Sequence, residues 1–178
     1  MTTNPTRLMQ QRIAELAIGI STLRNQGAPG VVSAAREFLK RLDLAAFRTG
    51  NRQRFQSRLN VATRRLKDRL PKGARNWGAA RKALNIFLRD VLYNHYLRSR
   101  HHLDRLEEWL EVPLDRDVAA ALRAESEGAA PPRWKTIKRL TPDVSRRYQA
   151  IAQVVARRRG IQRVHLDLHY WRRRDGAT

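Results

Sequence analysis

Two residues 33 positions apart carry the chemistry of a reaction centre. Lys82 stands in the early turns of the most apolar segment, Trp77 to Leu97, and Asp115 ends the run Glu111-Val-Pro-Leu-Asp115. On a helical wheel Lys82 shares a face with Asn85, Ile86, Arg89 and Tyr93, away from the Ala80–Leu84–Leu88 stripe. Burial and a neighbouring cation ease the loss of a lysine proton, and the neutral amine is a nucleophile. Asp115 follows a bend imposed by Pro113, at the N-cap position of the helix that starts at Arg116, where the helix dipole favours negative charge. Taken singly, a snorkelling surface lysine and an ordinary cap are the plainer readings. Taken together, an amine and a fixed carboxylate suit attack on a sugar C1′. The carboxylate stabilises the positive charge that develops there and helps deprotonate the amine. The amine expels the base and forms a Schiff base open to β-elimination. The base must first leave its stack and enter a pocket. Asp167, His165, Trp171 and Asn85 are the candidates to hold it, with packing at the C-terminal end the plainer role of the first three.

The charge balance names the partner. The chain has 178 residues with 37 Lys and Arg against 16 Asp and Glu, a formal charge of +21. An anionic polymer is the partner such a charge implies. Nine basic residues fall between positions 51 and 75, with Asp68 the single acid. Arg52, Arg58, Arg65 and Arg75 in that stretch, Arg172–Arg174 in the tail, and Lys135, Arg158 and Arg159 are candidate contacts to a DNA backbone, with steep salt dependence expected. A solvated helix face is the alternative. A membrane-surface helix fits less well, because the basic stretch has no strong aromatic face. Arginines outnumber lysines 31 to six; this suits forked phosphate recognition, although GC-rich coding gives the same bias. There is no cysteine, which excludes disulfides, iron–sulfur clusters and thiolate zinc sites. His101 and His102 diverge on a helix and lack a third ligand, so no metal or other cofactor is expected. No apolar run reaches the roughly 18 residues of a membrane span, and Met1–Arg12 has no signal-type apolar block. The expectation is a cytoplasmic, nucleoid-associated protein with no membrane partner.

Helical periodicity runs nearly throughout, and no strand-like alternation of convincing length appears. The pattern predicts an all-α domain over residues 1–178, with seven or eight helices arranged as one bundle or as two lobes around a cleft. Asn4-Pro5 opens a helix to about Arg24 whose apolar positions are Leu8, Ile13, Leu16, Ala17, Ile20 and Leu23. Further helices are expected over Val31–Leu42, Asn51–Leu70, Trp77–Leu97, Arg116–Arg123 and Pro142–Arg159. Asp43 caps a short turn through Phe47, and a short amphipathic piece spans Leu103–Leu110. Glu127–Pro132 reads as a loop, and Gly160 as a helix stop.

The segment Trp77–Val118 resembles the helix-hairpin-helix DNA glycosylase superfamily. Val112-Pro113-Leu114-Asp115 with Val118 looks like its bend-and-aspartate motif, in which the aspartate is catalytic. The chain is most similar to the archaeal-type 8-oxoguanine glycosylases. There the catalytic lysine lies in an alanine-rich helix some three dozen residues before a Pro-Leu-Asp, as Ala80-Arg81-Lys82 does here. That branch also holds the flipped base with an aspartate and a tryptophan four residues apart near the C-terminus, the spacing of Asp167 and Trp171. The resemblance implies a monomer that excises a modified base from double-stranded DNA and leaves an abasic site, with or without lyase activity. The substrate would be an oxidised purine or, by likeness of type to bacterial anti-phage glycosylases, a hypermodified cytosine such as glucosylated hydroxymethylcytosine. The role would be repair or phage defence. The chain departs from the pattern in two places. Leu97–Leu110 contains no glycine, so the Leu-Pro-Gly-x-Gly hairpin and its backbone phosphate contacts are missing. The usual superfamily lysine position, about 18 residues before Asp115, offers Leu97 and Arg98. If Lys82 is not the nucleophile, Asp115 activates water instead.

Two other classes remain open. Arg89 and His95 fit the Arg-x(4–6)-His pattern of HEPN-type ribonucleases, in which the histidine would act on a 2′-hydroxyl and the arginine on the phosphate. A non-catalytic nucleic-acid-binding helical module would need the arginine patches alone, and predicts that Lys82 and Asp115 point to different sides of the fold.

Overall fold

Six helices open on a side chain that accepts a backbone N–H at the helix start: Asn4, Asn51, Asn76, Asn94, Asp115 and Thr141. Each offsets orphan donors of the first turn. The computed structural model describes residues 4–23, 26, 28–126 and 131–172. Among these the chain forms nine α-helices and no strands: α1 (Pro5–Ala17), α2 (Val31–Lys40), α3 (Arg52–Arg69), α4 (Trp77–Tyr93), α5 (His95–Arg100), α6 (Leu106–Trp109), α7 (Arg116–Ala124), α8 (Pro142–Arg158) and α9 (Leu166–Arg172). Tight turns at Ala45–Phe47, Lys72–Ala74, Ile137–Arg139 and Arg163–His165 link them. The all-α expectation holds, with more and shorter helices than the periodicity suggests.

Two apolar clusters form. The first joins α1 to α6 around Phe55, Leu59, Leu84, Phe87 and Leu88. The second joins Val112 and Leu114 to α7, α8 and α9 around Leu122, Tyr148 and Val155. Helix α4 supplies the shared wall. Its Ala80, Ala83, Leu84, Phe87, Leu88 and Val91 enter the first cluster, while Trp77 packs on the second. Close approach is possible at Gly78, where an added Cβ would lie 2.0 Å from the Ile137 carbonyl oxygen.

Three boundaries differ from the sequence expectation, each for a tertiary reason. Helix α1 stops at Ala17, well before Arg24 (itself outside the described residues), because Arg36 of α2 takes over its end, donating to the Ile18 and Glu15 carbonyls at 2.8 and 3.0 Å. Ile20, an apolar position of the expected helix, falls beyond its end and is 80% exposed, while Leu16, still within α1, lies on its outer face and is 73% exposed. The Trp77–Leu97 helix breaks at Asn94, which leaves helical geometry and caps α5 by accepting the Leu97 N–H at 2.9 Å. Leu103–Leu110 keeps only the short α6, after a left-handed turn at His102. Residues 127–130 of the expected Glu127–Pro132 loop lie outside the described residues.

Candidate functional site

The segment that carries Asp115 is held from two directions. Gln149 of α8 accepts from the Val112 N–H at 3.1 Å and donates to the Val112 carbonyl at 2.8 Å, so one side-chain amide pairs with the backbone as a neighbouring strand would. Arg163 donates to the Leu110 and Trp109 carbonyls at 2.8 and 2.7 Å. All these groups except the outer edge of the segment are buried, so the backbone polar atoms are satisfied where water is excluded. Asp115 then caps α7, one carboxylate oxygen accepting from both Asp117 and Val118 N–H at 3.0 Å.

The other oxygen of that carboxylate lies 3.4 Å from Lys82 Nζ. The lysine side chain is 13% exposed and the aspartate 24%, so the pair is partly buried and still reached by solvent. Asp167 of α9 joins it. Burial pushes the Asp167 carboxyl above its ordinary value and the nearby Asp115 charge adds to this, while Arg89 and Lys82 oppose it. Arg89 bonds Asp167 and also contacts Asp90 at 2.8 Å. Burial alone would lower the Arg89 value, but the two carboxylates outweigh it and raise it. Asp90 is raised, chiefly by burial. The expected α4 face is therefore real for Lys82, Arg89 and Tyr93. It brings together the amine, the cap carboxylate and the C-terminal aspartate.

The remaining base-holding candidates divide. Trp171 lies one turn beyond Asp167 on the same side of α9 and is 61% exposed, an open aromatic surface beside the cluster. His165 is engaged within the fold. It stacks on Tyr93, shares a 2.9 Å hydrogen bond with the Tyr93 hydroxyl, and contacts Glu107 at 2.8 Å. Burial pushes that tyrosine up to about 12. Asn85 departs from the expectation. It is buried on the other flank of α4, donating to Glu111 at 3.0 Å, because residues 81 and 85 are one turn apart and face the same partner.

That flank holds residues the sequence reading passed over. Arg81 and Glu111 are both buried and 3.4 Å apart, and Trp77 lies under the Arg81 guanidinium at 4.8 Å. They line a cavity of about 680 Å³ between α3 and α8. The Trp77–Arg81 spacing of one helical turn and the Glu111–Asp115 spacing of four were the available signals. Lys82 and Asp115 are not part of this cavity's wall: amine and carboxylate meet as expected, on the next face of α4, but not beside this space, and Asp167 and Trp171 do not line it either.

The basic candidates are also unequal. Arg52, Arg65 and Lys135 are exposed. Arg58 is exposed but donates to the Ala46 and Arg48 carbonyls, and Arg75 to the Leu70 carbonyl at 3.0 Å. Arg158 donates to the Glu125 carbonyl at 2.8 Å, and Arg159 pairs with the Glu125 carboxylate at 2.6 Å. Arg159 is thus largely neutralised by an internal acid, which weakens it as a phosphate contact. Arg173 and Arg174 lie outside the described residues. Among the described residues no group of three or more His, Asp or Glu side chains is arranged to hold a metal, and no helix is long and apolar enough to cross a membrane.

Comparison of the chain with protein-family models, with curated proteins and with solved structures returns no match.

Proposed function

We propose that the protein is a DNA N-glycosylase whose reacting groups are Lys82 and Asp115. The observation that carries the reading is the 3.4 Å approach of Lys82 Nζ to Asp115, two groups 33 positions apart that no local element would join. In the proposed step, a neutral Lys82 amine forms a bond to C1′ as the C1′–N bond to the base breaks. The base departs with the bonding electrons and takes up a proton. The Asp115 carboxylate, still ionised, stabilises the cationic sugar as it forms; it then accepts a proton from the new secondary ammonium and passes it to the ring oxygen as the C1′–O4′ bond breaks, while the departing base is protonated by water. Ring opening leaves a Schiff base. Trp171 provides a stacking surface for the extruded base and Asp167 a hydrogen-bonding edge. Double-stranded DNA bearing a modified base, an oxidised purine or a bulky cytosine, is the substrate class, bound by a monomer through exposed arginines such as Arg52 and Arg65.

The two rival readings have less support. Arg89 of the HEPN-type pattern is committed to Asp90 and Asp167, and His95 stands beyond the Asn94 break on α5. The purely binding module predicts that Lys82 and Asp115 point to different sides of the fold, and their 3.4 Å approach supports the glycosylase reading over it.

The test is incubation with a panel of modified duplexes, followed by alkali to cleave abasic sites, and borohydride to trap a lysine adduct. Cleavage that depends on Asp115, with an adduct lost in Lys82→Ala, is the expected result. Release without any trapped adduct would transfer the nucleophile's role from Lys82 to water. No release from any duplex, with RNA cut instead, would end the reading.

A further inference from the structure

The cavity between α3 and α8 has an excess of buried positive charge that nothing in the proposed reaction uses. Arg81 is 4% exposed. Its Nη2 donates to Asn60 Oδ1, its Nε faces Glu111 at 3.4 Å without forming a hydrogen bond, and its Nη1 has no partner among the described residues. Glu111 is already shared, accepting from Gln56 at 3.3 Å and from Asn85 at 3.0 Å. Arg163, equally buried, lines the same space and is held by two carbonyls, with no carboxylate paired to it among the described residues. Burial lowers the values of both arginines, and Arg52 and Arg81 lower Arg163 further, while Glu111 opposes the shift in each. Arg52 and Arg146 stand at the exposed rim, the latter 3.2 Å from Asp143. Among the described residues, four guanidinium groups thus line the cavity; Glu111 is the one carboxylate in its wall, and Asp143 outside it pairs with Arg146.

A buried cation with idle donors is costly unless an anion completes it, and the guanidinium fork matches phosphate. The rest of the wall is not that of a simple ion site. Gln53, Gln56 and Asn60 form a carboxamide stripe along α3: the Gln56 amide N–H groups go to Asn60 and Glu111 and Asn60 Oδ1 accepts from Gln56 and Arg81, which leaves the Gln56 carbonyl oxygen, the Asn60 amide N–H and the exposed Gln53 to a ligand, and Trp77 adds an indole. Base edges are recognised by such paired donors and acceptors. A volume of about 680 Å³ falls within the range of small-molecule pockets, roughly 300–1,000 Å³. We propose that this cavity is a nucleotide-binding site, distinct from the Lys82–Asp115 pair. The phosphate goes to Arg81 and the rim arginines, and the base to the carboxamide stripe and Trp77. The nucleotide is either free or one unit of a nucleic-acid strand.

The experiment titrates the intact protein with each of the four deoxynucleoside 5′-monophosphates and with inorganic phosphate, read by calorimetry and tryptophan fluorescence. At least one monophosphate should bind more tightly than phosphate. Binding should weaken tenfold or more in Arg81→Met/Glu111→Gln, which removes both charges of the buried pair. The exposed rim variant Arg52→Ala/Arg146→Ala should weaken it too, with an unchanged melting temperature. Lys82→Ala should leave it intact, which separates this site from base release. Displacement of the bound monophosphate by a short single-stranded oligonucleotide assigns the site to a strand, and failure to displace assigns it to the free nucleotide. No binding by any monophosphate, binding no tighter than phosphate, or equal affinity in both variants overturns the proposal.

Discussion

Asp115 does two things that can be separated by substitution. It caps α7 through two N–H contacts at 3.0 Å and faces Lys82 at 3.4 Å. Asparagine caps helices about as well as aspartate, so Asp115→Asn keeps the first role and loses the second, while Asp115→Ala loses both. The gross attraction of the pair at 3.4 Å is about 5 kcal/mol at an effective dielectric constant of about 20. Partial exposure and desolvation reduce the net worth to about 1 kcal/mol. Removing the cap costs about 1 kcal/mol more. The expected losses in urea unfolding are therefore about 1 kcal/mol for Asp115→Asn and about 2 kcal/mol for Asp115→Ala. Base release behaves differently. Both variants should lose it alike, by roughly 100-fold or more, because each removes the charge that stabilises the developing cation. Duplex binding by Asp115→Asn should be retained. Alkali-revealed strand breakage under single-turnover conditions reads release, and urea titration reads stability. Unimpaired release by Asp115→Asn would refute the catalytic role. Equal destabilisation by the two variants would refute the capping argument.

Three further outcomes follow from the geometry. Gly78→Ala should lower stability by about 3 kcal/mol, or about 6–12 °C in a thermal melt, because its Cβ meets the Ile137 carbonyl and Leu140; a melt within 2 °C of wild type would contradict that packing. Asp167 is raised by burial in the fold, so its contribution to stability is present below its unfolded value and lost as pH rises through the raised native one. Wild type should accordingly gain stability relative to Asp167→Asn as pH falls from neutral toward 3.8, and a difference of opposite sign in urea titrations across that window would be decisive against it. Trp171→Ala should leave the melting temperature unchanged, since the ring is 61% exposed, yet weaken binding of modified duplex by roughly 1–3 kcal/mol. An equal loss on unmodified DNA would show that the ring does not select the extruded base.

The helical class was legible because the apolar stripe of α4 and the caps at Asn4, Asn51, Asp115 and Thr141 are local signals. The proline bend and the cap at Asp115 were legible as well, since both are local; that Lys82 of α4 would meet this carboxylate was an expectation carried by the resemblance, with no local signal for it. What escaped was set by distant partners. Nothing near Ala17 says that Arg36 will complete the end of α1. Asn94 reads equally well as a helical residue and as a cap, and only packing of Leu97 decides. Asn85 sits between two faces of α4 on a wheel, and Glu111 draws it away from Lys82. Arg81 was invisible as a buried cation because arginine in a basic chain is by default a surface residue.

The double hydrogen bond of Gln149 to Val112 restricts what can stand at position 149. Asparagine is too short to span both backbone atoms, and glutamate would set a carboxylate against the Val112 carbonyl. With Lys82 exchanged for another residue, the chain would still need a glutamine on this helix to hold the segment that carries the aspartate. Gln149, Pro113 and Asp115 are thus tied to one another by backbone geometry, independently of what Lys82 does.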